Sequence, residues 1–99
     1  MSNVSSELLE ELKESMVGKR YRHFKGKTYV VTDIAVHTES EEIMVIYKCF
    51  TDPFVIWCRP LTMFLSNVDC KKYPNVKQKK RFEVLSKNVG GNKNGKSSF

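Results

Sequence analysis

Between Ser5 and Val17 the apolar residues recur at helical spacing: Leu8, Leu9, Leu12 and Met16 fall on one stripe, while Glu7, Glu10, Glu11 and Glu14 lie off it. The pattern predicts one amphipathic helix of about three turns. Ser5 or Ser6 can cap its start, Glu7 suits the positive end of the dipole, and Gly18 can end it. The stripe needs a surface to cover, most simply the sheet that follows. From Lys19 onward the period changes to two. KRYRHF reads as a short strand, KGK as a turn and KTYVVTDIAV as a longer strand rich in β-branched residues. HTESEE is a polar turn. EIMVIYKCF and FVIWCR are two further strands joined at Thr51-Asp52-Pro53. In PLTMFL, Pro60 cannot donate to a ladder, so the chain is expected to leave the sheet in a short helical turn that tucks Met63 and Phe64 inward. RFEVL is a last short strand after a polar, lysine-rich connection.

Five short strands, tight turns and one helix predict a mainly β fold: a small, strongly bent sheet or SH3-like, partly open barrel. The expected organisation is an N-terminal helix over residues 1–17 packed on the barrel, the barrel itself over 18–86, and a basic tail over 87–99. That tail holds glycines, asparagines and serines with too little apolar surface to order itself.

Ninety-nine residues allow a single small core and no cleft between lobes. No apolar run is long enough to span a bilayer, and the first sixteen residues are acidic and amphipathic, unlike a signal peptide. A cytoplasmic protein without membrane association is therefore expected. The three cysteines form no C-x-x-C pair and suggest reduced thiols. The net charge of +6 changes meaning once it is divided along the chain. Residues 1–17 hold one lysine against four glutamates, residues 18–69 hold seven Lys or Arg against six acids, and residues 70–99 hold nine against one. The excess sits in the C-terminal third, as a solvated tail or a phosphate-binding arm.

A hairpin centred between Pro53 and Phe54 would set Phe50 opposite Trp57, Cys49 opposite Cys58 and Lys48 opposite Arg59. Like charges directly opposite repel, so an acidic group belongs near them. It is either an internal carboxylate, with Glu39 and Asp33 the candidates, or an anion from outside, held by Arg59 and Lys48 while Trp57 offers a flat face to a base. Arg22, His23 and Lys25 make a second polar cluster, with Arg22 and His23 on opposite faces of their strand. His37, Thr38 and Glu39 end the next strand. A hydrogen-bonding role in their turn is the simplest reading, and a His37–Glu39 acid–base pair lacks an accompanying nucleophile. No spacing suggests a metal site, a cofactor motif or paired catalytic carboxylates.

The ordered motifs YRHFKGK, A-x-H-T-E in AVHTES, VIYK, W-C-R-P-L-x-M-F and RFEVL resemble the small bacterial and phage family catalogued as domain of unknown function 1653. The resemblance runs from about Gly18 to Leu85 and implies a compact β-rich domain without bringing an established reaction. One departure lies at Thr51-Asp52-Pro53, where the family usually carries a glycine-bearing turn.

Together these readings lead to a non-catalytic binding module for a nucleotide-type or other small anionic ligand. The ligand would be held by Arg22, His37, Thr38, Glu39, Lys48, Trp57 and Arg59, with no metal or cofactor. Sequestration, as by a phage protein that soaks up a host signalling nucleotide, is the role it suggests. One alternative is a barrel that binds single-stranded RNA or DNA with the basic tail as an arm. A second is an adaptor that offers its helix stripe or an open strand edge to a partner chain. Separately, a homo-oligomer is compatible with the sequence.

Overall fold

The computed structural model describes residues 4–85. Helix α1 (Ser6–Met16) starts where Ser5, in extended conformation, accepts a hydrogen bond on its side-chain oxygen from the Leu8 amide at 3.1 Å. It ends at Val17, followed by Gly18 at φ 88°. Met16 is buried, and Leu9 and Leu12 pack against the core. Leu8 is left exposed, so the covered stripe is narrower than expected.

The strands are β1 (Arg20–His23), β2 (Thr28–Val36), β3 (Ile43–Cys49), β4 (Asp52–Pro60) and β5 (Phe82–Val84). They form one antiparallel sheet in the order β4-β3-β2-β1-β5. The sheet is not closed. Between β4 and the segment leading to β5 lies the short helix α2 (Leu61–Phe64). It buries Phe64 completely but leaves Met63 46% exposed, which corrects the expectation that both point inward. Phe64 stacks on Phe82, with ring centroids 4.1 Å apart and planes 6° from parallel, and meets the edges of Tyr21 and Tyr47. Val31 and Val45 complete the fully buried centre. The expected tail, 87–99, lies outside the described residues.

The β3–β4 register differs from the one that motivated the Lys48–Arg59 pairing. The observed pairs are Val45 with Arg59, Tyr47 with Trp57 and Lys48 with Ile56. Cys49 pairs with Asp52, so three residues of β4, from Pro53 to Val55, are passed over before regular pairing resumes. Pro53 has no amide hydrogen to give the ladder, which is why the irregularity falls there. The register is displaced by three residues from the expected one, an odd number, and this puts Lys48 and Arg59 on opposite faces.

Candidate functional site

Arg59 shares the core-side face of β4 with Trp57, as alternation requires. Its side chain lies against the core: Nε donates to the Tyr47 hydroxyl at 3.2 Å, and the guanidinium carbon is 5.7 Å from the centre of the Phe82 ring. Because Phe82 belongs to β5, this one arginine reaches from one edge strand of the bent sheet to the other. Beside it opens a cavity of about 390 Å³. Its floor and walls are His23, Phe24 and Lys25 from the end of β1, Arg59 from β4, and Asp69, Lys72, Tyr73 and Arg81 from the segment between α2 and β5.

Local structure explains how these residues meet. The β1–β2 hairpin closes through Gly26, at φ 112°, whose amide donates to the His23 carbonyl at 2.8 Å, while the His23 amide donates to Lys27. The Phe24 amide donates to the Arg81 carbonyl and the Arg81 amide to the Ser66 carbonyl, both at 2.9 Å, which ties the hairpin to the far segment. Phe24 and Tyr73 meet edge-on at 4.9 Å. Arg81 Nε donates to the Ser66 hydroxyl at 3.0 Å. Each arginine therefore spends Nε on a hydroxyl, which orients the guanidinium and leaves its two terminal nitrogens for another acceptor.

The charge balance is one-sided. Among the described residues four cationic side chains, Lys25, Arg59, Lys72 and Arg81, line the cavity against a single carboxylate, Asp69. Asp69 Oδ1 already accepts from the Lys71 and Lys72 amides at 3.0 and 3.4 Å. Both ion pairs among the described residues, Lys13–Asp33 and Arg22–Glu83, lie elsewhere. His23 records the positive potential: burial, followed by the charges of Arg59, Arg81 and Lys25, lowers its pKa to about 4. Its Nδ1 accepts from the Lys25 amide at 3.1 Å, so the neutral ring carries its hydrogen on Nε2.

Of the residues read from the sequence as ligand-binding, the structure brings Trp57 and Arg59 to one face and separates the others. Arg22 lies on the outer face of β1, paired to Glu83 at 3.2 Å. Lys48 lies across β3 from that face. His37 Nδ1 accepts from the Glu39 and Ser40 amides at 3.1 and 3.2 Å, so His37, Thr38 and Glu39 form an exposed turn, away from the cavity. The internal neutralisation considered for Lys48 and Arg59 is also absent, since Asp33 pairs with Lys13 and Glu39 joins neither ion pair. His23 and Lys25 were visible as a polar cluster. Asp69, Lys72 and Tyr73 were not, because they lie in a segment whose lysine-rich composition reads as simple connection. Arg81 was visible only as the first residue of RFEVL. Among the described residues no group of His, Cys, Asp and Glu side chains could hold a metal ion, and no helix is long and apolar enough to cross a membrane.

The fold and site define a small domain of one open antiparallel sheet with a basic, aromatic-walled cavity between its edges. The model of a family described as "Protein of unknown function (DUF1653)" matches residues 19–84, and the chain belongs to that family. A crystal structure of a DUF1653 protein from Bordetella bronchiseptica is similar to it at a TM-score of 0.58, with 23% identity, over 73% of this chain and 90% of the other. That likeness concerns the fold. No curated protein matches the chain.

Proposed function

We propose that this domain binds a small anionic ligand of nucleotide type in the cavity beside Arg59, and that it works by holding the ligand. The observation that carries this reading is the set of four cations around one already engaged carboxylate, with no ion pair among them. Two arginines with free terminal nitrogens suit the forked recognition of phosphate or carboxylate. His23 adds a neutral N–H donor, and Phe24 and Tyr73 supply aromatic surface beside the charges. Trp57 lies on the same face of β4 as Arg59 but is not among the residues that line the cavity. Among the described residues that line the cavity there is no serine, threonine or cysteine, which favours a binding role over nucleophilic catalysis by a hydroxyl or thiol. Sequestration of a signalling nucleotide is the biological role this would serve.

The test is native mass spectrometry of the protein purified from cells, followed by calorimetric titration with inorganic phosphate and with nucleoside mono- and diphosphates. Arg59→Ala and Arg81→Ala run beside the wild type, with circular dichroism to check folding. We expect a nucleotide to bind and each variant to lose about tenfold or more in affinity. Wild-type protein that binds none of these anions, or folded variants that bind as tightly as wild type, would sink the proposal.

A further inference from the structure

The two tyrosines buried in the core differ in what their hydroxyls meet. Tyr47, 4% exposed, has its hydroxyl engaged by Arg59. Tyr21, 8% exposed, packs its ring edge-on against Phe64 at 5.2 Å, yet among the described residues its hydroxyl has no hydrogen-bond partner. A buried tyrosine hydroxyl ordinarily has one. Tyr21 lines a second cavity, of about 640 Å³, which shares no lining residue with the one beside Arg59. The sheet register builds its wall: Tyr21 pairs with Val84 across β1 and β5, and alternation puts Phe82 on the same face as Val84. Leu65, just after α2, completes the apolar part, and Leu65 and Val84 are left 48% and 37% exposed. The charged members are Lys19, Lys80 and Glu83. Glu83 is held by Arg22 at 3.2 Å, whereas neither lysine joins an ion pair among the described residues.

We propose that this second cavity binds a small carboxylate with an apolar body, the Tyr21 hydroxyl donating to a carboxylate oxygen while Lys19 and Lys80 supply the positive charge. Burial raises the pKa of Tyr21, so the hydroxyl keeps its proton and acts as a donor. The ligand class follows from the lining. An apolar chain or ring takes Phe82, Leu65 and Val84 out of water, and the anionic end brings the acceptor that Tyr21 lacks. A wholly neutral apolar molecule would leave the two ammonium groups unmet. A phosphate ester suits the site less well, because no arginine fork lines it and a sugar or base would set its polar groups against an apolar wall. The volume falls within the roughly 300–1,000 Å³ usual for small-molecule sites.

Calorimetric titration of the full chain with octanoate, up to about 1 mM and with octanol as the neutral counterpart, reads this directly. Octanoate should bind, and octanol about fivefold more weakly. Tyr21→Phe keeps the buried ring and removes only the hydroxyl, so its affinity for octanoate should fall about fivefold. Its unfolding temperature without ligand should stay at or above that of the wild type, because no hydrogen bond within the protein is lost. That second readout separates a ligand-binding hydroxyl from a structural one. Lys19→Met combined with Lys80→Met leaves the buried core untouched and should weaken octanoate binding about tenfold while bringing octanol and octanoate closer together. Four results overturn the proposal: a wild type that does not bind octanoate; octanol that binds as tightly as octanoate; Tyr21→Phe binding octanoate as tightly as wild type; or a Tyr21→Phe protein that is destabilised in the absence of ligand.

Discussion

His23 is the residue whose behaviour is most fully set by its surroundings. Stacked on Phe24 at 4.5 Å, edge-on to Phe82 at 4.9 Å and faced by cations, it stays neutral at pH values where a free histidine is charged. Folding holds its pKa at about 4 against 6.5 in the unfolded chain. Between those values the unfolded chain binds a proton that the folded chain refuses, so His23 makes stability fall as the pH drops from about 6.5 to about 4, with no further change below. The ring is partly exposed and screened, so the loss should be about 1 kcal/mol. Urea unfolding of His23→Gln should show a flatter stability profile across that window. Adding inorganic phosphate should raise the His23 pKa of the wild type in an NMR titration, because a bound anion offsets the cations that depress it. A second residue-scale prediction concerns Tyr47, whose hydroxyl accepts from Arg59. Tyr47→Phe removes that anchor while keeping the buried ring, and should weaken anion binding about fivefold with little change in unfolding temperature. Tyr29→Phe, which touches the Tyr47 ring but has no hydrogen bond to Arg59, is the control and should bind as wild type.

At the scale of elements, what could be read from the sequence was what local chemistry decides. Caps and 3.6-residue spacing place α1, period-two runs place the strands, and Pro60 marks the exit into α2. What escaped was decided between elements. Leu8 and Met63 have the composition of core residues, but the sheet is too small to cover every apolar position a helix offers it. The β3–β4 register depends on where Pro53 interrupts the ladder, and a shift of an odd number of residues reverses which charges share a face. Two substitutions separate backbone from packing contributions. Gly26→Ala introduces a Cβ with nothing within 4 Å, so its cost is the positive φ alone, about 1 kcal/mol. Phe64→Ala empties the centre of the aromatic stack and should cost about 3–5 kcal/mol. Equilibrium unfolding should rank them in that order. A Gly26→Ala penalty as large as that of Phe64→Ala would mean that the hairpin turn is packed in a way the structure does not show.

For the molecule as a whole, the candidate site could not be read from any one stretch, because its residues come from around positions 23–25, 59, 69–73 and 81 and meet only once the sheet has bent. The same assembly changes the meaning of the net charge. Part of the basic excess that begins after residue 70 is Lys72 and Arg81, which belong to the cavity. The anion reading and the nucleic-acid reading therefore divide at a definite place, the end of β5, where the Leu85 amide donates to Arg20. If the cavity is the site, cutting the chain after Ser86 should leave the affinity for a nucleoside phosphate within about threefold of the full chain, since the described residues that line the cavity all precede the cut. Removal of Lys87, Lys93 and Lys96 should at the same time abolish any weak, steeply salt-dependent binding of single-stranded oligonucleotides. Fluorescence anisotropy with a labelled oligonucleotide and calorimetry with the nucleotide, both on the truncated and full chains at two salt concentrations, separate the two. Loss of nucleotide binding in a truncated protein that remains folded would move the site from the cavity to the tail.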